Sequence, residues 1–474
     1  MNNSGTKSNK LNWSNLISIK RLKCQSSKLV LEDDKNNEYS NIRTPFQRDY
    51  DRIIFSQAFR KLGGKTQVHP LSDNDTIHTR LTHSLETASV GRSLAFIVGD
   101  YLKNVVNEKN KPENIAAIVQ SACLAHDLGN PPFGHAGEDA IANWFIEYFE
   151  KEGFKLELDD DYKKEFEVFD GNAQGFRLAS KIENNFKKGG LNLTVTILAS
   201  MIKYPHFAES KDDKKFSIYR SEKQEFEMIM DNFDLRFKRE DKYDKNDEKT
   251  FYVRHPLSYL MEASDDICYT FLDIVDAIEL KILRLDDLKN FFVDAIKSRS
   301  RVEDIYLDNY LNDTRKAAKL SALAINELTL NAGNTFNNNL DRFTSKSEIY
   351  KIKDLISLGT ETSKIISDAK KIANDYIFPE NSKQKLEIAA YEILGAILND
   401  LVNAVVELDN KDDKKISFKS KKILDLMGIC KPAKSESLYE KLRLVLDFVS
   451  GMTDRYAITL FQQLNGIGYQ FKRM

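Results

Sequence analysis

The sequence predicts an all-α fold, and two observations support this prediction. Apolar residues recur every three or four positions over ten or more residues in several segments, which is the spacing of one helical face. Strand-like segments are few and brief, namely "KTQVHPL" (65–71) and the residues around 251–253. The chain has no internal repeat. We therefore expect a helical core with at most short β-hairpin elements.

The helical periodicity is clearest in four segments. They are "SLETASVGRSLAFIVGDYL" (84–102), "NIAAIVQSACLAHDL" (114–128), "EDAIANWFIEYFE" (138–150) and "PLSYLMEASDDICYTFLDIVDAIELKIL" (256–283). Each one places apolar residues on one side of a helix and polar residues on the other. They predict an all-α core over about residues 40–280, followed by a further helical region.

Four polar and charged stretches are expected to be surface loops. They are residues 209–215, 239–250, 331–339 and 408–415. None of them has an apolar stripe that could pack against a core, so exposure to solvent is the simplest interpretation.

Composition limits the class of protein. Lys and Arg total 70 against 72 for Asp and Glu, so no overall charge attracts the chain to nucleic acid or to a membrane. The four cysteines are far apart, which is typical of a reducing compartment and argues against a disulfide framework or a thiolate zinc site. The N-terminus has no apolar signal core, and no run of about 18 apolar residues occurs. These features predict a soluble cytoplasmic protein.

The stretch "CLAHDLGNPPFGHAGEDA" (123–140) carries two of the seven histidines. Gly129 and the prolines after it must end the preceding helix, so His126 and Asp127 are expected in its last turn. Adjacent helical residues diverge by about 100°, so both reach one ion only if it lies between their directions. The alternative is structural, because a histidine near a helix C-terminus is favoured by the helix dipole.

Partners for such an ion exist elsewhere in the chain. Arg80 and His83 are three residues apart in "HTRLTHSLETA" and share a helical face, although a single histidine there could equally be a packing residue. In the helix that follows residue 254, a second polar face opposes the apolar one. This face carries Asp265, Tyr269, Asp273 and Asp276.

The acidic face has two interpretations. A solvated surface is the ordinary one, but such a surface in this lysine-rich chain should carry lysines, and none occurs between Arg254 and Lys281. Carboxylates and a tyrosine without counter-charges are better explained by a cation or a substrate in front of them.

The order of these residues, H…HD…D, resembles the signature of the HD superfamily of metal-dependent phosphohydrolases. Six blocks spread over about residues 43–460 resemble, more specifically, the deoxyguanosinetriphosphate triphosphohydrolase (dGTPase) family. They are "RTPFQRDYDRIIFSQAFRKLGGKTQV", "TRLTHSLE", "AHDLGNPPFGHAGE", "KYP", "HPLSYLMEASDDICY" and "GMTDRYA". The chain departs from the family pattern at Tyr50 and in "FSQAFRKL", which changes packing near the site and none of the ligands.

The resemblance implies an all-α HD fold in three parts. These are an N-terminal extension (1–40), an HD phosphohydrolase core (41–285) and a C-terminal helical region (286–474) that completes the fold and contributes subunit contacts. It also implies partners, namely a deoxynucleoside triphosphate substrate and further copies of the chain in a dimer-based oligomer, up to a hexamer. Regulation by nucleotides or single-stranded DNA is expected, and membrane association is not.

The resemblance implies four metal ligands: His83, His126, Asp127 and Asp265. Asp265 is preferred to Asp266 because the family's sugar-packing tyrosine follows its ligand by four residues, as Tyr269 does here. Imidazole and carboxylate ligands with open positions suit Mn²⁺, Mg²⁺ or Fe²⁺ better than a closed structural zinc site.

The resemblance also implies the residues that act on the substrate. His135 would donate a proton to the departing 5′-oxygen, and Glu138, three residues later on the same helical face, would hold and charge its imidazole. The substrate-binding residues would be Gln67, Arg80, Lys203, Tyr204, Lys215, Tyr269, Asp273 and Arg455. Lys203 and Lys215 could instead be ordinary surface lysines, and Arg455 could cap a helix, form a salt bridge or reach a phosphate in a neighbouring subunit.

The reaction implied is attack of water on the α-phosphorus of a deoxynucleoside triphosphate. Its products are a deoxynucleoside and intact triphosphate, and dGTP is the expected substrate. One alternative is an HD phosphodiesterase or phosphomonoesterase that acts on another nucleotide. A second alternative is a module that senses nucleotides or single-stranded DNA and has weak activity.

Overall fold

The computed structural model describes most of the chain. The described residues are 9–25, 28–34, 43–68, 74–102, 111–152, 158–183, 189–208, 215–240, 248–411 and 415–467. Helices dominate them, and their β-sheets are two separate two-stranded antiparallel ones. The prediction of an all-α fold with short hairpins is confirmed.

Prolines and polar caps set the start of several helices in the first part of the chain. Pro45 follows the Thr44 cap of its helix, which forms a capping box with Gln47, and Pro256 follows the His255 cap. Proline suits the first helical position because its missing N–H would have no partner there. The helices are α1 (Trp13–Leu16), α2 (Pro45–Ile54), α3 (Gln57–Lys61), α4 (Arg80–Leu102), α5 (Pro112–Ala125), α6 (Gly134–Glu152), α7 (Asp160–Glu167), α8 (Gly171–Arg177), α9 (Val195–Met201), α10 (Lys223–Asn232) and α11 (Pro256–Glu279).

Further helices follow in the second part of the chain. They are α12 (Lys289–Ile296), α13 (Arg299–Tyr306), α14 (Asp313–Asn338), α15 (Leu340–Phe343), α16 (Lys346–Ile349), α17 (Thr360–Ile372), α18 (Asn381–Asn410), α19 (Phe418–Leu426), α20 (Leu438–Ser450) and α21 (Asp454–Leu464). Ser437 and Glu440 form a capping box that fixes the first turn of α20.

The two hairpins are short. Strands β1 (Lys20–Gln25) and β2 (Lys28–Asp33) pair with Leu22 opposite Leu31, and this hairpin was not predicted. Strands β3 (Arg236–Glu240) and β4 (Glu248–Tyr252) pair with Phe237 opposite Phe251, which confirms a strand around residues 251–253.

The predicted arm at residues 65–71 is only partly described. Thr66 forms an isolated antiparallel bridge with Thr79, and residues 69–71 lie outside the described residues. The bridge brings the chain back to the start of α4, where the amide of Arg80 donates to the carbonyl oxygen of Lys65 at 3.1 Å.

The prediction of a loop at residues 331–339 is wrong, because α14 continues through Asn338. Ala332, Gly333 and Phe336 are buried on the face of α14 that packs against α4. A Cβ on Gly333 would lie 2.7 Å from Ile97, so the glycine permits the close approach of these two helices. Tertiary packing here overrides the low helix propensity of asparagine and glycine.

The structure describes only part of each of the other three predicted loops. Helix α18 continues to Asn410, so the first residues of the predicted loop at 408–415 are helical. Strands β3 and β4 occupy both ends of the predicted loop at 239–250, and residues 241–247 lie outside the described residues. Of the predicted loop at 209–215, residues 209–214 lie outside them as well.

Two large apolar clusters form the interior. The first cluster gathers the buried faces of α4, α5, α9, α11 and α14, and the second gathers those of α6, α18, α20 and α21. The first contains residues from all three predicted parts of the chain, such as Trp13, Leu94 and Phe336. The predicted boundaries at 40/41 and 285/286 stay predictions.

Helix α18 is apolar and long. Within the described part of the chain, its stretch Lys383–Asn410 is the one helical stretch that is long and apolar enough to cross a membrane, with a mean hydropathy of 1.4. Half of that stretch is buried, and it packs against α6, α19, α20 and α21. A core helix of a soluble protein passes the same test of length and composition.

We expect Gly129→Ala to destabilise the fold, because a Cβ at this position would lie 2.1 Å from the Gly175 nitrogen and 2.2 Å from the Gly171 oxygen in α8. Overpacking against backbone typically costs about 1–3 kcal/mol, and backbone atoms this close favour the upper end. Thermal unfolding checks it. Gly395→Ala is the control, since its Cβ would be at 3.5 Å from Trp144 and alanine favours a helix. Equal melting temperatures for the two variants would contradict this account of Gly129.

Candidate active site and metal centre

A cavity of about 690 Å³ lies where α4, α5, α6 and α11 meet. The structure brings most of the predicted site residues into its lining. These are Gln67, Arg80, His83, His126, Asp127, His135, Glu138, Lys203, Tyr204, Lys215, Asp265 and Tyr269. The predicted residues outside the lining are Asp273 and Arg455.

Three potential metal ligands converge at the base of this cavity. His83 comes from the first turn of α4, His126 follows the last residue of α5, and Asp265 lies in the middle of α11. Nε2 of His83 is 3.0 Å from Oδ1 of Asp265, and Nε2 of His126 is 3.5 Å from the same oxygen. One ligand atom from each residue lies within 4.8 Å of the others, so a single ion can contact all three.

Hydrogen bonding and charge suit this group to a cation. The Nδ1–H of His126 donates to the carbonyl oxygen of Cys123 at 2.6 Å, which leaves Nε2 free to offer its lone pair. Burial would raise the pKa of the Asp265 carboxyl, but the imidazoles of His126 and His83 hold it well below its usual value. Burial would lower the pKa of His126, but Asp127 and Asp265 raise it to about 9. The carboxylates therefore favour a positive charge at this point, and a divalent metal ion that displaces the proton from Nε2 of His126 would supply it.

Asp127 lies beside this group rather than inside it. Its Oδ1 is 3.5 Å from Nε2 of His126 and accepts from the side-chain amide of Asn130, while its Oδ2 accepts from Nη1 of Arg80 at 2.8 Å. Burial raises the pKa of Asp127, but His126 and Arg80 outweigh it, so the pKa lies below its usual value. Asp127 is therefore an ionised carboxylate at the edge of the metal group, and its role as a fourth ligand stays a prediction.

His135 and Glu138 form a hydrogen-bonded pair at the start of α6. Nδ1 of His135 is 2.9 Å from Oε2 of Glu138, and the imidazole is 82% exposed while the carboxylate is buried. The other carboxylate oxygen, Oε1, accepts from the amide of Gly171 at 2.7 Å. Burial would raise the pKa of Glu138, but His135, Lys215 and the Gly171 amide lower it to about 2. The ionised carboxylate therefore fixes an imidazole that faces the open cavity.

A tight turn between α5 and α6 places this pair near the metal group. Phe133 and Gly134 adopt positive φ angles of 67° and 60°. Gly134 allows Arg80 to approach, because a Cβ there would lie 2.7 Å from its Nη2. At Gly137 a Cβ would lie 2.0 Å from the carbonyl oxygen of Pro132, so only glycine fits. Helix α5 ends at Ala125 with His126 as its C-cap, so Asp127 lies just beyond the helix and not in its last turn as predicted. The prediction that the chain then turns back through the glycines and prolines is confirmed.

Cationic side chains line another part of the cavity. Lys203 and Tyr204 follow the end of α9, and Nζ of Lys203 is 3.3 Å from Glu262. Burial would lower the pKa of Lys203, but Glu262 and other nearby acidic groups raise it. Nζ of Lys215 lies 3.4 Å from Oε2 of Glu138, so this lysine is tied to the His135–Glu138 pair. Both lysines are therefore held in the cavity lining by carboxylates, and their contacts with a substrate stay predictions.

Tyr269 and Asp273 continue along the face of α11 that carries Asp265. Tyr269 lines the cavity, whereas Asp273 is buried one turn further on, and its Oδ2 has no hydrogen-bond partner among the described residues. Burial and the neighbouring Asp276 raise the pKa of Asp273 well above its usual value. The acidic face of this helix is therefore largely buried, but Asp276 faces a counter-charge within the protein, because its Oδ1 lies 2.6 Å from Nδ1 of His78. That Asp265, Tyr269 and Asp273 face a ligand stays a prediction.

Sequence reasoning missed several cavity residues. Lys370, Phe378, Lys383 and Glu387 line the cavity from the end of α17 and the start of α18, and Nζ of Lys383 lies 3.9 Å from the centre of the Phe378 ring. No local signal marks these residues, because they lie about a hundred positions after the last residue of α11. Arg455, in contrast, is exposed on α21.

The family comparisons agree with this geometry. A family model described as "HD domain" matches residues 80–245, and one described as "Phosphohydrolase-associated domain" matches residues 356–463. The fold and site therefore belong to the HD-domain class of metal-dependent phosphohydrolases. The first match contains His83, His126 and Asp127.

Full-length relatives narrow this class. The chain is 39% identical, over an alignment of 464 residues that covers 96% of it and 99% of the relative, to the deoxyguanosinetriphosphate triphosphohydrolase-like protein of Pseudomonas aeruginosa (strain LESB58). It is 34% identical over 475 residues to a protein of the same description from Synechocystis sp., covering 96% and 100% of the two chains. It is 27% identical over 489 residues to the deoxyguanosinetriphosphate triphosphohydrolase of Klebsiella pneumoniae, covering 89% and 94%. The chain belongs to the deoxyguanosinetriphosphate triphosphohydrolase-like family, as the motifs predicted, and is a hydrolase.

We expect Asp265→Asn to weaken metal binding, because it removes the charge and an oxygen from the point where the two imidazoles converge. The loss should be at least as large as the ~10–100-fold that loss of an outer-shell partner costs. Titration of the apo-protein with Mn²⁺, followed by electron paramagnetic resonance, measures it.

The matched control is Asp266→Asn. Asp266 lines the same cavity, but its Oδ1 pairs with Lys370 at 3.1 Å and it is not one of the three grouped ligands. Its Mn²⁺ affinity should stay within about threefold of wild type. A greater loss for Asp266→Asn than for Asp265→Asn would reverse the choice between the two aspartates.

Proposed function

We propose that the protein hydrolyses deoxynucleoside triphosphates, with dGTP as the expected substrate, to a deoxynucleoside and inorganic triphosphate. The observation that carries the proposal is the presence, in one cavity, of a partly buried group of two histidines and an aspartate and of a separate, exposed imidazole held by a buried carboxylate. Attack of water on phosphorus needs charge stabilisation on the phosphoryl group and a proton for the leaving oxygen. A metal ion in the His–Asp group would supply the first, and the imidazole would supply the second.

The metal would be held by His83, His126 and Asp265, with Asp127 as the fourth ligand. Mixed nitrogen and oxygen ligands suit Mn²⁺, Mg²⁺ or Fe²⁺. When bound, such an ion supplies Lewis acidity to the phosphoryl group. Arg80, hydrogen-bonded to Asp127, lies where it can contact the phosphate oxygens next to the metal.

His135 would act as the general acid. As a new bond forms between the water oxygen and the α-phosphorus, the bond from phosphorus to the 5′-oxygen breaks. The proton from His135 passes to the 5′-oxygen, and the attacking water releases one proton to solvent. Glu138 fixes the imidazole through Nδ1, so the opposite nitrogen, Nε2, faces the cavity and carries the transferred proton. His135 is exposed in the free protein, so its imidazole is accessible to a substrate that would then cover it.

The triphosphate would lie against Lys203, Tyr204 and Lys215. Both lysines are already placed by carboxylates at 3.3 and 3.4 Å, so little side-chain freedom remains to be lost when phosphate binds. Arg455 is expected to contact a phosphate from a neighbouring subunit, since it is exposed and lies outside the cavity lining of its own chain.

The deoxyribose would pack on Tyr269, which lies one helical turn after Asp265, with Gln67 and Asp273 as further contacts. The unpartnered Oδ2 of Asp273 is an acceptor suited to the 3′-hydroxyl. A tyrosine against C2′ leaves no room for a 2′-hydroxyl, which favours deoxyribose.

Two further lining residues support guanine as the base. Phe378 offers an aromatic ring for stacking, and Glu387 offers a carboxylate at the same wall of the cavity. Guanine presents two adjacent N–H donors on one edge, and a carboxylate accepts both. Adenine presents an acceptor at one of those positions and would lose that bond.

We also propose that the enzyme acts in the cytoplasm as a dimer-based homo-oligomer whose activity responds to nucleotides or single-stranded DNA. The four free cysteines, none paired in a disulfide, agree with a reducing compartment. The family resemblance supports the oligomer and its regulation.

Product analysis tests the proposed function. The purified protein is incubated with Mn²⁺ or Mg²⁺ and with each deoxynucleoside triphosphate or GTP, and the products are resolved by ion-exchange chromatography. We expect deoxyguanosine and tripolyphosphate from dGTP, with kcat/KM for GTP at least about tenfold lower, since a clash worth about 1.4 kcal/mol has that effect. Release of orthophosphate or of a nucleoside monophosphate would point to the phosphoesterase alternative, and no turnover with any nucleotide would point to a sensing module.

His135→Ala should lower kcat by about 10³–10⁴-fold, because the 5′-alkoxide is a poor leaving group without a positioned acid. KM, bound metal and melting temperature should stay near wild type, since the imidazole is 82% exposed and is not a metal ligand. Glu138→Ala should lower kcat less, because the imidazole remains. Steady-state kinetics with dGTP and metal analysis measure these effects.

Asp139→Ala is the control for His135→Ala. Asp139 is exposed in the same turn of α6 and does not line the cavity, so its kcat should match wild type. A folded, metal-loaded His135→Ala enzyme with kcat within about threefold of Asp139→Ala would remove His135 as the general acid.

A further inference from the structure

The block "GMTDRYA" contains an aspartate whose side chain turns away from solvent. Asp454 is the first residue of α21, and it is buried. Its Oδ1 accepts from the amide of Phe133 at 2.9 Å. Its Oδ2 accepts from the amide of Thr66 at 2.9 Å and from the Thr66 hydroxyl at 2.6 Å. Both oxygens are therefore used by two chain segments that lie far away in the sequence.

Capping of α21 does not explain this carboxylate. The cap of α21 is Thr453, whose side chain accepts from the amide of Tyr456 at 3.2 Å. Asp454 accepts from no amide of its own helix in any of its three hydrogen bonds. Burying a carboxylate costs free energy unless its oxygens accept hydrogen bonds. The hydrogen bonds from Phe133 and Thr66 offset this cost for Asp454.

The first segment that Asp454 holds is the turn into α6. Phe133 has a φ of 67°, a conformation that a bulky residue adopts only when its surroundings enforce it. The bond from its amide to Asp454 supplies a fixed partner at the residue where the chain reverses. His135 follows two residues later, so the direction of its imidazole depends on this turn.

The second segment is the one before α4. Thr66 pairs with Thr79, and the next residue, Gln67, lines the cavity. Lys65 reinforces the same junction, because its buried Nζ donates to the carbonyl oxygens of Asn130 at 2.5 Å and of Ser450 at 2.6 Å. Lys65 thus ties the turn and the end of α20 together through these two hydrogen bonds, beside the Thr66 segment that Asp454 holds.

We propose that Asp454 is a positioning residue for the reaction, which fixes the turn at Phe133 and the segment at Thr66 together and so aims His135 at the substrate. This inference rests on the proposed function. It gives the "GMTDRYA" block a role within its own subunit that is separate from the one expected of Arg455. None of the hydrogen bonds of Asp454 involves one of the three grouped metal ligands, so we expect its loss to affect His135 more than the metal group.

The test is Asp454→Asn, which keeps the shape of the side chain. An amide group would face either the N–H of Phe133 or the N–H and O–H of Thr66, donor against donor, so one segment must shift. A misplacement of about 1 Å at a catalytic group costs about 10²-fold in rate. We expect kcat with dGTP to fall by about 10²-fold, with KM changed by less than about fivefold and with Mn²⁺ affinity unchanged.

Hydrogen exchange gives a readout that is independent of activity. Peptides covering residues 128–138 should exchange at least about tenfold faster in Asp454→Asn than in wild type, because an opening free energy lower by about 1.4 kcal/mol has that effect. The control is Asp49→Asn, whose buried carboxylate accepts from the amide of Thr194 at 2.7 Å and from Arg21 at 2.5 Å, away from the cavity. Asp49→Asn should lower the melting temperature but leave kcat and the exchange of residues 128–138 at wild-type values.

The outcomes separate this inference from the proposed function. If wild type releases no tripolyphosphate, the proposed function is wrong, and hydrogen exchange still decides whether Asp454 holds the turn. The inference is overturned if wild type is active and Asp454→Asn has the wild-type kcat or the wild-type rate of hydrogen exchange. It is also overturned if Asp454→Asn loses no more kcat than Asp49→Asn does.

Should Asp454→Asn fail to fold, Thr66→Val decides, since it removes only the hydrogen bond from the Thr66 hydroxyl. Faster exchange and a kcat lowered about threefold or more would support the inference, and wild-type values would overturn it.

Discussion

The close approach of α4, α5 and α11 is the constraint on which the rest of the structure depends. A Cβ on Gly91 would lie 2.5 Å from Sγ of Cys123 and 3.3 Å from Oγ of Ser264, so three small side chains meet where these helices touch. Cys123 is three residues before His126, and Ser264 directly precedes Asp265. Because the helices meet at this point, imidazoles and a carboxylate from distant parts of the chain come within reach of one ion. Burying the carboxylate costs free energy, which the imidazoles and a bound cation offset.

The second constraint is the contact between the α5–α6 turn and α8. Gly129 lies directly against the backbone of α8. A Cβ added at Gly171 would lie 2.2 Å from Oδ1 of Asn130 and 2.9 Å from Oε1 of Glu138. The amide of Gly171 donates to the same Glu138 oxygen at 2.7 Å. One helix start therefore supports the turn sterically and completes the hydrogen bonding of the carboxylate that orients His135. This explains why α8 begins with Gly171 although glycine disfavours a helix.

Much of the site follows from the sequence because its signals are local. The glycine and prolines after Asp127 end one helix, His135 and Glu138 share a face of the next, and helical spacing puts Tyr269 one turn after Asp265. Some cavity residues, such as Phe378, could not be predicted from helical spacing. They reach the cavity through packing between helices that are far apart in the sequence. The wrong loop at residues 331–339 has the same cause, since burial of α14 against α4 outweighs its asparagines.

The cavity joins the two apolar clusters of the fold. The grouped metal ligands stand on α4, α5 and α11 of the first cluster, whereas His135 and Glu138 stand on α6, which packs in the second. The proposed metal ligands and the proposed proton donor are therefore positioned by different parts of the core. Their relative position is set by buried polar contacts across the junction, such as Lys65 to Ser450 and Arg177 to Asp447 at 2.8 Å. Hydrogen bonds are directional, and apolar packing is not, so a junction made this way fixes orientation as well as proximity. General acid catalysis needs that orientation, whereas metal binding needs only the helices of the first cluster.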